Sequence, residues 1–443
     1  ETLNVFGVRA DYMRQFREYL EEEGVKGIDD YEEIKLPCLR NFGSMKLKYP
    51  RLKEGVNFKK QGPRPVIAVP DDYLKQHKVV VNWYPKIEAM RSRGAGAQVT
   101  ATLQTATLGQ AQCAFLDYDE LYFEIQKHKN ERNYYNLNIE KDVLTVLMSR
   151  SDWYQLYIPQ EELEFTSFAK TRLWQEIAST LLKKYCDNFY NAKRLDYEKD
   201  KLEYRYLDEV EAELAANGKA GNLFDEYTFL VEKSRWDIIE KLKELVEQID
   251  SGNFANWAFR SMFSFNFDRH LYKPLIHIKD SELKVIPVAL NEGEKKFVLD
   301  LKDYYGANQG SFNDRELYLL RNLGRGHGVG FFQAHNFYPD FILWLVEGKK
   351  QRITFIDPHG MRMAQGGFND PKVQFFQEIK TLEKQIGDTD VKLASFIISV
   401  TPFEQIGLWD KKLTQKDFED HHIVFQNDKS LYVSKIIKNA LKE

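Results

Sequence analysis

The residues best suited to chemistry in this sequence are Asp340, Asp357 and His359, and their spacing gathers them at one end of a predicted hairpin. Segments 338–345 and 352–359 are apolar and rich in β-branched and aromatic residues, and Gly348-Lys349 between them suits a two-residue type II′ turn. With that turn Glu347 pairs with Lys350, and the same register carries Asp340 opposite Asp357, their Cβ atoms about 5 Å apart. The two-residue period of a strand turns His359 to the same face. Ionised carboxylates at that spacing repel by about 3 kcal/mol at an effective dielectric of about 20. A cation between them relieves the repulsion, and hard oxygen donors suit Mg²⁺ or Mn²⁺. A surface hairpin with two solvated aspartates is the plainer alternative. Both faces of both arms are apolar, however: Phe341, Leu343 and Leu345 on one side, Ile342, Trp344 and Phe355 on the other. That pattern marks a buried strand pair with its acids at the rim. A one-residue slip of the turn would undo the pairing.

A third acid comes from upstream. Asn291 opens a predicted helix over 291–304 with apolar positions Leu290, Phe297, Val298 and Leu301, and Glu294 lies on that inward stripe. Glu294 is also placed to close a capping box on Asn291, and the two roles are compatible. Strands are expected near 329–332, 338–346 and 353–358, then a helix within 371–386, strands at 393–400 and 423–425, and a helix after Tyr432.

An acid on a leading helix, Pro339-Asp340 at a strand start, and Asp357-Pro358-His359 on the next strand together resemble the PD-(D/E)xK nuclease family, whose core runs α-β-β-β-α-β. More narrowly, segments 287–294, 317–322 and 337–360 are similar to the nuclease end of type III restriction subunits, which join a superfamily 2 helicase motor to this nuclease. Segments 3–6, 12–20 and 153–159 look like the part that follows that motor. The resemblance implies an α/β chain with a PD-(D/E)xK restriction-endonuclease-like core, preceded by a helical region and a β-rich region. It implies Asp340 and Asp357 as Mg²⁺ (or Mn²⁺) ligands with the Ile356 backbone, Glu294 as accessory acid, and double-stranded DNA as substrate. A methyltransferase or other defence subunit is the implied partner. The chain departs from the family where His359 stands in place of lysine. A histidine with a pKa of about 6.5 is mostly neutral at pH 7, so it can orient or deprotonate water but stabilises charge less. Either His359 substitutes, or Lys372 or Lys380 reaches in from the next helix, or the site is impaired and the fold serves as a DNA-binding or docking module.

Composition bounds the rest. A chain of 443 residues exceeds one compact core, and a net charge of −4 with a pI of about 6.2 leaves any DNA contact to local basic patches. Cys38, Cys113 and Cys186 are too scattered for a disulfide framework or a zinc site, which favours a reducing cytoplasm; no apolar run suggests a membrane span. His327 and His335 likewise match no zinc spacing. No Gly-x-x-x-x-Gly-Lys-Ser/Thr loop is present, so ATP would bind only in a motor outside this sequence. A start at Glu1 suggests a fragment of a longer protein.

Three regions are expected: a β-rich connector over 1–165, a helical domain over 166–275 and the nuclease-like domain over 276–443. The first includes predicted strands at 79–84, 99–108, 121–125 and 143–148. It also holds a basic loop over 43–70 with Lys46, Lys48, Arg51, Lys53, Lys59, Lys60 and Arg64, either a solvated surface or a phosphate contact. The second has apolar stripes at Trp174, Ile177, Leu181 and Tyr185 and at Ile238, Leu242, Leu245 and Ile249. Aromatic and basic residues alternate over 185–206, as an amphipathic helix with a basic wet side or as a stacking surface for DNA. Arg321 and Asn322, which precede the glycine-rich 324–328 segment, Arg325 within it, and Lys372 are the candidate DNA-binding residues; a tight turn is the simpler account of those glycines.

Overall fold

The computed structural model describes residues 31–44, 46–84, 104–216, 224, 226–254, 256–279, 283–322, 339–361, 367–406, 413–428 and 431–442. The expected elements at 3–6, 12–20 and 329–332, and Arg325, His327 and His335, lie outside these residues. The chain is mixed α/β with several separate sheets, divided into two compact units, each discontinuous in sequence. One unit takes residues 1–47 and 206–323, the other 48–205 and 324–443.

In the first unit, strand Glu226–Glu232 lies between Tyr31–Pro37 and Lys284–Ile286, all antiparallel. Its inward residues Tyr227, Phe229 and Val231 alternate with wetter ones, the period expected of a sheet covered on one face. Helix Trp236–Asp250 packs on that sheet through Ile238, Leu242, Leu245 and Ile249, the stripe read from the sequence. A second antiparallel sheet orders Leu275–Ile278, Met262–Phe265 and Trp257–Phe259. Helix Glu292–Ala307 buries Phe297, Val298 and Leu301.

In the second unit, strands Val79–Asn82 and Tyr154–Tyr157 run in parallel, with Thr105–Ala106 beside the latter. The 30-residue helix Ala169–Glu198 carries Trp174, Ile177, Leu181, Tyr185 and Phe189 into a core shared with helices Tyr118–Glu131 and Lys141–Met148. These two shorter helices replace the strands expected at 121–125 and 143–148. Leu121 and Ile125, and Leu144, Leu147 and Met148, are buried at three- and four-residue spacing, and Asp117 caps the first helix. Short apolar runs of this kind fit either period until the buried positions are known.

The C-terminal sheet of this unit positions the candidate site. Strands Phe341–Glu347 and Lys350–His359 form the expected hairpin, with Glu347 opposite Lys350 and Gly348 at φ +60° as a Gly-first turn requires. Strand Lys350–His359 then runs parallel to Val391–Ser399, which runs parallel to Ile423–Phe425. The parallel pair needs a crossover, supplied by helix Pro371–Ile386. Asp370 caps that helix, Pro371 occupies its first turn and Gly387 ends it in the left-handed region at φ +73°. Helix Leu431–Lys442 packs against strands Lys350–His359 and Ile423–Phe425. Among the described residues no helix is long and apolar enough to cross a membrane.

Candidate active site

Strand Lys350–His359 is flanked by strands on both sides and nearly all of it is buried. Its odd-numbered side chains face the crossover helix: the Phe355 ring lies 6.4 Å from that of Phe375, and Asp357 meets Lys372. Asp357, 4% exposed, is therefore a carboxylate set into the sheet's end beneath the first turn of the helix. Lys372 Nζ lies 3.3 Å from Asp357 Oδ2, while Asp370 Oδ1 accepts the Lys372 backbone N–H at 2.9 Å.

The hairpin ladder closes with Phe341 opposite Ile356, and Asp340 is the next residue, half-buried behind the buried Pro339. Continued one step beyond the ladder, this register would pair Asp340 with Asp357, on the face that bears His359. Ile356 lies inside the ladder, between Phe341 and Phe396, so its backbone groups face neighbouring strands. His359 sits exposed at the strand end. Partial desolvation, and then the Lys372 ammonium, lower its pKa below the ordinary histidine value, against the opposing pull of Asp357 and Asp370. Its imidazole is neutral at pH 7.

The structure thus gathers Asp357, His359 and Lys372, with Asp340 at the adjoining strand start. It adds Asp370, which sequence reasoning passed over; the Asp-Pro pair opening a helix was its available signal. Of the two lysines expected to reach in, Lys372 does so, whereas Lys380 pairs with Glu383 at 3.5 Å.

Glu294 belongs to the other compact unit. There it closes the capping box: its N–H donates to Asn291 Oδ1 at 2.9 Å and its Oε2 accepts from Asn291 N–H at 3.0 Å. Arg321, expected to meet phosphate, directs its guanidinium into the same unit. It donates to the Val288 carbonyl and the Tyr227 hydroxyl and lies 3.7 Å from Glu294 Oε2. Its backbone N–H donates to Nε2 of the buried His270 at 2.8 Å, an imidazole whose pKa burial pushes down to about 4. Asn322 is buried beside it in the chain. The 185–206 alternation is helical only to Glu198, where Tyr185, Phe189 and Tyr190 are core and Arg194 pairs with Glu198 at 3.0 Å, and it ends in the strand Leu202–Tyr206.

Among the described residues no three His, Cys, Asp or Glu side chains form a metal-holding group. Two carboxylates at a rim are nevertheless the usual protein share of a Mg²⁺ site completed by water and substrate phosphate, so the donor set suits that ion. Comparison with protein-family models, curated proteins and solved structures gave no match.

Proposed function

We propose that this chain is the Mg²⁺-dependent DNA endonuclease region of a helicase–nuclease resembling type III restriction subunits. The supporting observation is the buried Asp357 carboxylate at the end of a sheet strand, with Lys372 Nζ 3.3 Å away and the hairpin register leading to Asp340. An antiparallel hairpin followed by a helical crossover to a parallel strand is also the strand-strand-helix-strand order that the PD-(D/E)xK resemblance implies.

Asp340 and Asp357 would hold the metal. When bound, the ion supplies positive charge to the phosphate and lowers the pKa of its water. Lys372 holds a fixed ammonium beside the same carboxylate, the role that lysine plays two residues after the acid in the family pattern. His359, neutral at pH 7, accepts the proton of the attacking water. The division of labour is a lysine that carries charge from the helix and a histidine that moves a proton from the strand. Double-stranded DNA is the substrate; a motor that binds ATP, and a methyltransferase or other defence subunit, are the partners this reading implies.

The test is nicking of supercoiled plasmid in Mg²⁺. Wild type is expected to nick, and Asp340→Asn or Asp357→Asn to lose about three orders of magnitude in rate, the several kcal/mol that metal stabilisation provides. Undiminished nicking by either variant overturns the site. An inert wild type that gains activity through His359→Lys would identify a decayed nuclease fold used for docking or DNA binding.

A further inference from the structure

Part of the basic loop singled out in the sequence is hydrogen-bonded to the second unit along residues 136–138. Segment 58–67 carries Lys59, Lys60 and Arg64, all exposed, and contains no acid. It is strapped along residues 136–138. Asn136 Nδ2 donates to the Phe58 carbonyl at 3.2 Å and the Pro63 carbonyl at 3.1 Å. Asn138 N–H donates to the Pro65 carbonyl at 2.8 Å, and Ile67 N–H to the Asn138 carbonyl at 2.9 Å. Asn136 is itself fixed, its Oδ1 accepting from the Tyr190 hydroxyl at 2.8 Å.

Beside this strap Tyr135 stands 69% exposed. Its hydroxyl donates to Asn133 Oδ1, and Asn133 holds a left-handed backbone at φ +58°. Lys59 Nζ lies 5.9 Å from the ring centroid. A large aromatic side chain tethered at its tip and turned to solvent loses little further freedom on stacking. The acids nearest along the chain are Glu54 and Asp71 on either side of the strap and Glu131 and Glu140 on either side of Tyr135; Asp71 lies 3.3 Å from Lys193 and Glu131 3.9 Å from Lys127.

We propose that Tyr135 and the 58–67 strap form a binding site for single-stranded DNA, the ring stacking on a base while Lys59, Lys60 and Arg64 follow the phosphates. An aromatic face flanked by cations that track the backbone is the general chemistry of sequence-tolerant strand binding. The site is distinct from the Asp357 rim and does not depend on that rim being catalytic.

The experiment measures binding of the full chain to a fluorescent mixed-sequence oligodeoxynucleotide in EDTA, where metal-dependent cleavage is silent, over a range of salt. Tyr135→Ala should weaken binding about 10-fold, the scale of one base stack, yet bind a fully abasic strand as wild type does. The triple variant Lys59→Ala, Lys60→Ala, Arg64→Ala should flatten the slope of log affinity against log salt by about 2, at roughly 0.7 per phosphate contact on a single strand. Failure of wild type to bind at low salt overturns the proposal. So does unchanged binding by Tyr135→Ala, or an equal loss on the abasic strand.

Discussion

At the scale of single residues, the surroundings of Asp357 decide what its carboxylate can do. Lys372→Met keeps the length of the side chain and removes the ammonium. Its expected effect is a nicking rate lower by about 10- to 100-fold, the usual cost of losing an outer-shell partner. His359 makes a separate prediction. Its depressed pKa keeps the imidazole neutral to lower pH than a free histidine, so the acid limb of the pH–rate profile should have a midpoint below about 6.5. His359→Gln should erase that limb; a limb unchanged in the variant would remove His359 from the proton step. The hairpin register, Glu347 opposite Lys350 through Phe341 opposite Ile356, was legible because it is arithmetic once the turn is known. The reach of Lys372 was not, since it depends on how the helix sits over the sheet, and sequence periodicity leaves that phase open between Lys372 and Lys380. Arg321 was misjudged for a related reason: a basic residue before a glycine run looks exposed until the carbonyl of Val288 and the hydroxyl of Tyr227 are seen to receive it.

At the scale of elements, the crossover helix expected within 371–386 spans Pro371–Ile386, with Asp370 capping its start and Gly387 ending it. The helices at Tyr118–Glu131 and Lys141–Met148 were mistaken for strands because their apolar residues cluster in short runs whose period is ambiguous. The crossover helix also holds an ionisable group outside the candidate site. Burial pushes the Glu378 carboxyl up to about 7, and its Oε2 has no hydrogen-bond partner among the described residues. A folded-state pKa above the unfolded value gives stability that is present below about 4.5 and is lost as pH rises through about 7. Glu378→Gln, which never ionises, should therefore melt above wild type at pH 8, with the difference shrinking toward pH 4. Thermal melts across that range decide it, and a constant difference would mean that the carboxyl does not titrate near neutrality.

At the scale of the whole molecule, neither compact unit is a continuous stretch of chain, and this was the least legible property of the sequence. Composition and periodicity report local preference, whereas the contacts that join 48–205 to the C-terminal sheet are between residues about 300 apart. Trp344 Nε1–H donates to the Lys48 carbonyl at 2.7 Å, Lys48 N–H donates to Gln351 Oε1 at 2.8 Å, and Lys48 Nζ pairs with Asp388 at 2.6 Å. A fragment over 339–443 alone leaves Trp344 without that partner and should lack a cooperative melt, whereas the full chain should melt cooperatively. A cooperative transition in the fragment would show the C-terminal sheet to be self-sufficient. The sheet end that carries Asp357 would then be tested outside the setting proposed for it.

Everything proposed for this rim requires that Asp340 and Asp357 share one divalent ion. Anomalous diffraction from crystals of the full chain soaked in Mn²⁺ addresses it directly. A single peak within coordination distance of both carboxylates at the hairpin rim is expected. A rim with no peak, or the two carboxylates on opposite faces of the sheet, would contradict it.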